Sequence, residues 1–372
     1  MLAVIRHIKE FGLTETVEKF KLKSRVYEHK VHLKYDQINS SYEHQEVQDC
    51  RGLILHKNSW DVMSMSFRKF FNIQEGHAHK IDWDSAIIYE KLDGSMMQVY
   101  WDEYAYKWFA ATTGTAEGEG EVNNKMGTTF NDLFWQTTLK YDYNIVDLLN
   151  KKFTYVFELT SPYNIVVKPH GVSEITLLAV RNNKTLVEKT YTELLKESEI
   201  IKVPVVKTFD FKSMGVNDIH KTLENMAWSE EGYVVCDKNF NRVKIKNPAY
   251  CAVHHLKGKT AEHNILTIIK TNEIEEFAAT FPDRKEELLR LKTAYDKLVG
   301  NLNNVWNELQ PELPKNISAP ERKKYATAVF AVVEKYNLKG FSGLFFNLQL
   351  GKATSVEDYM KDYDDKVLYK LL

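Results

Sequence analysis

With 372 residues, 44% of them hydrophobic and 27% charged, the chain is long enough to bury a core in each of two ordinary-sized domains. Its 50 Lys and Arg against 51 Asp and Glu exclude the global basic field of a bulk nucleic-acid binder, so a nucleic-acid partner would need a local basic site. Charges in the first ten residues, the lack of any run of about 18 apolar residues and three widely spaced cysteines (Cys50, Cys236, Cys251) argue against secretion, a membrane span, a disulfide framework and a C-x-x-C zinc site, and lead us to expect a cytoplasmic protein.

From about Tyr35 to Tyr250 the apolar residues fall in short β-rich runs: Asp82–Lys91, Met96–Trp101, Tyr106–Thr112, Phe153–Thr160, Asn164–Lys168, Glu174–Val180, Gly232–Asp237 and Arg242–Lys246. Turn-like separators such as Asp93-Gly94-Ser95 and Thr113-Gly114-Thr115 lie between them. Pairing of Lys91–Trp101 across Asp93-Gly94 predicts antiparallel sheets rather than a βαβ crossover fold. Residues Tyr191–Glu197 and Asn217–Trp228 are predicted as helices, and the glycine-rich, acidic stretch Gly114–Gly120 as a solvated loop. Beyond about residue 250 the period becomes helical, with one stripe of Leu288, Leu291, Tyr295 and Leu298 and another of Tyr325, Val329, Val332 and Tyr336. Ser318 and Glu321 are spaced for a capping box before the second stripe.

The chemistry-bearing signal starts at Glu90-Lys91-Leu92-Asp93-Gly94-Ser95, where a lysine ends an apolar strand beside a turn whose glycine admits a phosphate to the backbone. Phe157-Glu158-Leu159 places an acid within a strand, Glu230-Glu231-Gly232 opens another, and Val243-Lys244-Ile245-Lys246 ends a third with two lysines on one face. Singly these have bland readings: a solvent-facing acid, a turn cap, and lysines that protect a sheet edge. Gly258-Lys259-Thr260 lacks the preceding glycine of a P-loop, since Val253 stands there.

Taken together and in this order, K-x-D-G, strand acid, E-G and K-x-K resemble the signature of covalent nucleotidyltransferases. With Cys50-Arg51-Gly52-Leu53-Ile54, Lys69-Phe70-Phe71-Asn72, Phe157–Pro162 and Leu177–Arg181, the chain resembles the ATP-dependent RNA ligases of the bacteriophage T4 RNA ligase 1 family. The resemblance implies an α+β fold: a nucleotidyltransferase, ATP-grasp-like ligase domain of antiparallel sheets with flanking helices over residues 1–254, and an all-α domain over 255–372 carrying RNA specificity.

It also implies an activity. Lys91 would attack the α-phosphate of ATP to give a lysyl-AMP, AMP would pass to an RNA 5′-phosphate, and a 3′-hydroxyl would close the strand, with tRNA repair as the family role. Glu231 would organise Mg²⁺ or Mn²⁺ through water, Glu158 would hold the ribose, and Lys244 and Lys246 would grip the α-phosphate. Those two lysines and the metal would also favour the neutral amine of Lys91 by like-charge repulsion. Tyr35, Arg51, Lys69, Glu90 and Gly94 complete the implied nucleotide contacts, Tyr250 matches a family tyrosine, and Thr113 stands where the family carries a lysine. The resemblance further suggests a monomer in the cytoplasm, that of an infected host if the source is a phage. The alternatives are a DNA ligase or capping-type nucleotidyltransferase, against which stands the lack of a β-rich segment after Tyr250, and a non-catalytic RNA-end-binding protein on a ligase scaffold.

Overall fold

Residues 1–64 form a small helical layer on a sheet: α1 (Ala3–Phe11), α2 (Leu13–Phe20), β1 (Leu22–Val26), β2 (Lys30–Tyr35), α3 (Gln45–Asp49), β3 (Arg51–His56) and β4 (Val62–Ser64). The computed structural model describes the chain except for residues 124–125, 141–144, 210–218, 220, 224–225, 257–263, 271, 273, 281–283 and 311–318. Two units divide it, Met1–Lys257 and Gly258–Leu372. In the first sheet the strands run antiparallel in the order β1-β2-β3-β4. Val4, Ile5 and Ile8 of α1 and Phe20 of α2 bury against Val31, Leu33, Leu53 and Leu55 of the sheet.

The rest of the first unit holds β5 (Phe71–Asn72), β6 (Ile87–Glu90), β7 (Ser95–Asp102), β8 (Lys107–Thr112), α4 (Phe130–Lys140), β9 (Phe153–Thr160), β10 (Glu174–Asn182), α5 (Tyr191–Ile201), β11 (Thr208–Phe209), β12 (Gly232–Cys236) and β13 (Arg242–Lys246). These strands make two sheets, ordered β10-β9-β7-β8 and β11-β6-β12-β13-β5. Among the described strand pairs only β13 with β5 is parallel, an isolated parallel bridge between Leu177 and Val205 aside. Phe134 of α4 and Leu194 of α5 cover one face of the β7–β10 sheet, packing on Val99, Phe157 and Leu177. A Thr190–Glu193 capping box starts α5, satisfying amides that the helix itself leaves unpaired.

Strand period decides what faces the interior of the third sheet. Ile88, Tyr233, Val235, Val243 and Ile245 share one buried cluster, so the alternate residues Arg242, Lys244 and Lys246 are delivered to the opposite face. The two sheets are clasped by Glu188. Its carboxylate takes Arg181 of β10 at 2.7 Å and also pairs with Arg242 of β13, while the Arg181 Nε donates to the Ser66 carbonyl at 3.0 Å.

The second unit is helical in its described residues, with Lys285–Leu309 and Ala319–Lys335 as its longest helices. Leu288, Leu291, Tyr325 and Val329 of the expected stripes are buried in one core, whereas Val332 is only partly covered and Tyr336 is exposed, the interior position falling to Val333. Ser318, the expected cap, lies outside the described residues, as does much of the expected helix 217–228.

Three expectations are corrected. Residues Lys91–Trp101 do not form a hairpin: β6 and β7 belong to different sheets, because the chain between them is tied to β12 and β9 instead of folding back on itself. Asn164–Lys168 is not a strand, and its Val167 and Lys168 amides donate to Asp93 rather than to a ladder. The 114–120 segment is docked rather than solvated. Glu117 meets the buried Lys30 at 2.9 Å, Glu119 meets Arg25 at 2.8 Å and accepts from Tyr27 at 2.6 Å, and Ala116 is buried. Acids that balance charge repulsion in the sequence are here used one by one as ion-pair partners.

Glu188→Ala leaves two largely buried guanidinium groups without their acid. We expect it to lower stability by about 3–5 kcal/mol in urea denaturation, and an unchanged midpoint would show that the clasp contributes nothing.

Candidate functional site

Antiparallel pairing brings three of the four motifs to one end of the third sheet. Tyr233 of β12 pairs with Glu90, the last residue of β6, and Gly232 pairs with Lys246, the last residue of β13. The Lys91 amide continues this ladder by donating to the Gly232 carbonyl at 2.9 Å. Lys91, Glu231 and Lys246 therefore converge where β6 ends, β12 begins and β13 ends. Gly232, at φ +125°, allows this approach, because a Cβ there would sit 2.3 Å from the Ile245 carbonyl oxygen.

The side chains meet as the backbone dictates. Lys91 Nζ lies 2.6 Å from Glu231 Oε1, and Lys246 Nζ lies 3.6 Å from the same oxygen. A carboxylate, as well as cations, thus borders the expected nucleophile. All three line a cleft of about 640 Å³ together with Lys244, Glu90, Arg51 and Glu158, a volume suited to a nucleotide-sized ligand. Glu158 comes from β9 of the other sheet, opposite Met96 of β7. Desolvation pushes its carboxyl up to about 8, with Glu231 adding to the rise and Lys91 and Arg51 opposing it. At neutral pH it is largely a carboxylic acid, able to donate as well as accept a hydrogen bond.

Asp93, the third residue of K-x-D-G, is buried and fixes the turn. Its Oδ1 accepts from the Tyr250 hydroxyl at 2.9 Å, and its Oδ2 accepts from the amides of Val167 at 2.9 Å and Lys168 at 2.5 Å. Burial beside Glu231 and Asp93 holds the Tyr250 phenol far above its ordinary range, so it remains a donor. Gly94 follows, and a Cβ there would lie 2.6 Å from the Leu159 carbonyl oxygen and 3.1 Å from the Glu158 side chain. Close passage against β9 alone demands that glycine.

The remaining expected residues divide into two places. Arg51 and Glu90 line the cleft, Arg51 with its guanidinium over the Phe70 ring at 4.8 Å. Tyr35 and Lys69 are absent from the cleft lining. They sit in an aromatic box, the Lys69 ammonium 5.3 Å from the Tyr35 ring, 4.9 Å from Tyr42 and 5.4 Å from Phe71.

Sequence reasoning missed the roles of Asp93, Asn247 and Lys34. Asn247 is fully buried and pins the segment before Glu231, donating to the carbonyls of Ala227 at 2.8 Å and Glu230 at 2.9 Å, while the Asn247 amide donates to Glu231 O at 2.9 Å. Its position directly after K-x-K was the available signal. Lys34 lines the cleft.

Among the described residues no group of three His, Cys, Asp or Glu side chains is placed to hold a metal. Glu231 is nevertheless suited to Mg²⁺, which keeps its waters and is commonly held by one or two carboxylates plus substrate phosphates. A lysine with an adjacent carboxylate, flanking ammonium groups and a neutral acid across the cleft form a set suited to phosphoryl chemistry.

A family model described as RNA ligase matches residues 49–250, a span that holds all four motifs and Tyr250. The chain is 26% identical over 342 residues to the RNA ligase of Rhodothermus phage RM378, covering 74% of this chain and 77% of that protein. It is 32% identical over 308 residues to a protein of Autographa californica nuclear polyhedrosis virus named as a bifunctional polynucleotide kinase/RNA ligase, covering 77% of this chain and 42% of the viral one. Among solved structures, an archaeal ATP-dependent RNA ligase is similar at a TM-score of 0.47 and 12% identity, over 78% of each chain.

Glu158 supplies a pH signature. Its carboxyl titrates near 8 when folded against 4.5 when unfolded, so the folded state holds the extra proton between those values and stability falls as pH rises through them. Glu158→Gln removes this slope. The variant should gain on the wild type between pH 5 and pH 8.5, by an amount on the order of a few kcal/mol at about 1.4 kcal/mol per pKa unit, and parallel melting curves of the two proteins across that range would refute it.

Proposed function

The chain belongs to the RNA ligase family of the bacteriophage T4 type, and on that premise we propose that it is an ATP-dependent RNA ligase that joins 5′-phosphate to 3′-hydroxyl ends. The observation that carries this reading is the meeting of Lys91, Glu231 and Lys246 at one end of a sheet, with Lys244 beside them and Glu158 across the cleft.

In the first step the Lys91 amine attacks the α-phosphorus of ATP. An N–P bond forms, the bond to the bridging oxygen of the β-phosphate breaks, and pyrophosphate leaves. Glu231, 2.6 Å from Lys91 Nζ, stands where it can take the amine's proton. Lys244 and Lys246 offset the charge that grows on the α-phosphate oxygens, a contribution that is large in a cleft with little water. Glu158, largely protonated, suits a ribose hydroxyl pair, and Glu90 suits the adenine amino group. A divalent cation held by Glu231 and the nucleotide phosphates would add Lewis-acid stabilisation of that charge.

In the second step an oxygen of the RNA 5′-phosphate attacks the same phosphorus, displacing Lys91, which regains its proton, and forming a 5′–5′ pyrophosphate link to AMP. In the third, a 3′-hydroxyl oxygen attacks the RNA phosphate, loses its proton, and AMP departs as a good leaving group. Residues 1–254 would carry this nucleotidyl transfer and residues 255–372 the choice of RNA, with broken tRNA as the substrate the family role favours. No strand occurs among the described residues after Lys246, which disfavours a DNA ligase or capping enzyme with an appended oligonucleotide-binding barrel.

Mass spectrometry after incubation with ATP and Mg²⁺ should find one AMP added, mapped to Lys91, and none with Lys91→Ala or excess EDTA. Label persisting in Lys91→Ala would remove Lys91 as nucleophile. Glu231→Ala should lower sealing of 5′-phosphorylated RNA by at least about 100-fold, in the range of lost acid–base and metal functions, and sealing at the wild-type rate would take Glu231 out of the chemistry.

A further inference from the structure

Across the first sheet, Lys23 of β1, Lys34 of β2 and Arg51 of β3 stand directly opposite one another in the ladder. Like charges so placed repel. Within that row Lys23 has an acid, Asp36 at 2.9 Å, and elsewhere on these strands Arg25 meets Glu119 at 2.8 Å and Lys30 meets Asp102 at 2.7 Å. Among the described residues, no carboxylate lies within ion-pair distance of Lys34 or Arg51. Both line the cleft, beside Thr113, Gly114 and Thr115.

The neighbouring loop sharpens the imbalance. It packs directly on β3, since a Cβ on Gly52 would meet the Thr113 Cα at 2.9 Å. Its acids are engaged elsewhere, Glu117 with Lys30 and Glu119 with Arg25 and Tyr27. This part of the cleft wall therefore presents two adjacent cations and two threonines, with their own repulsion unrelieved: a site built for an anion. It lies on a different sheet from Lys91, Lys244 and Lys246, and so forms a second cationic wall of the same cleft.

We propose that Lys34, standing beside the already expected nucleotide contact Arg51, adds a contact of its own to the β- and γ-phosphates of the nucleotide and to the inorganic pyrophosphate that departs. The proposal rests on the ligase reading for its substrate and names a residue that none of the four motifs contains. Lys34 supplies the second positive charge that Arg51 alone lacks, and its repulsion from Arg51 is relieved only when the polyphosphate is bound, which makes its contribution larger than that of a lone surface lysine.

The test is titration of inorganic pyrophosphate by calorimetry into wild type, Lys34→Ala, Lys34→Arg and the double variant Lys34→Ala/Thr113→Lys, each checked for an unchanged melting temperature. We expect Lys34→Ala to bind about tenfold more weakly, the effect of one lost charge-assisted phosphate contact. Lys34→Arg should keep affinity, and the double variant should recover much of it, because residue 113 lines the same stretch of cleft. The KM for ATP in adenylate formation should rise in parallel for Lys34→Ala. Equal pyrophosphate affinity of wild type and Lys34→Ala overturns the proposal, as does a loss that neither arginine nor the lysine at 113 repairs. Wild type that binds pyrophosphate yet never forms a lysyl-adenylate would sink the ligase reading while leaving the anion site standing.

Discussion

The buried carboxylate of Asp93 is the fixed point on which the site is built. A carboxylate taken out of water loses hydration worth several kcal/mol and is tolerated only when donors replace it. Here the donors come from two distant stretches of chain, the Val167 and Lys168 amides and the Tyr250 hydroxyl. Because the carboxylate must keep all of them, the turn that carries Lys91 is held against β12 and β9, and Glu231 and Glu158 come near the Lys91 side chain. The non-strand course of residues 164–168, the glycine at 94 and the failure of β6 and β7 to pair all follow from the same anchoring.

A second organising constraint is the unequal distribution of acids. Asp102, Glu117 and Glu119, none of which lines the cleft, each satisfy basic groups outside it, so the cleft is left with an excess of cations over its own carboxylates. Glu158 sharpens the excess further, since desolvation keeps it largely protonated at neutral pH. A chain with almost no net charge thereby concentrates a positive field where phosphates would lie.

Much of this was legible in the residues. The alternation in Arg242–Lys246 gave both the strand and the shared face of Lys244 and Lys246, because strand period is a local property. The strands at 153–160 and 242–246 match their apolar runs to the residue. The hairpin expected at Asp93-Gly94 failed for the complementary reason: its turn composition is a local signal, whereas the choice of partner strand is decided by burial of Asp93 against residues more than 70 positions away. The acidic loop at 114–120 misled in the same way, as composition reports charge and not which lysine or arginine will meet it. Lys34 lay outside every motif, and only the register of β1, β2 and β3 reveals that its neighbours are cations.

The hydrogen bond between Tyr250 and Asp93 spans 157 positions of sequence. Closing so long a loop is entropically unfavourable and comes late, and a chain emerging from the ribosome folds from its N-terminal end as residues appear. Until residue 250 has left the exit tunnel, the turn bearing Lys91 lacks one of its three restraints, along with the buffering of Asp93 by a phenolic donor. The turn bearing Lys91 therefore reaches its full set of restraints only after almost the whole first unit has been synthesised, so topology alone sets the order in which this end of the cleft is completed.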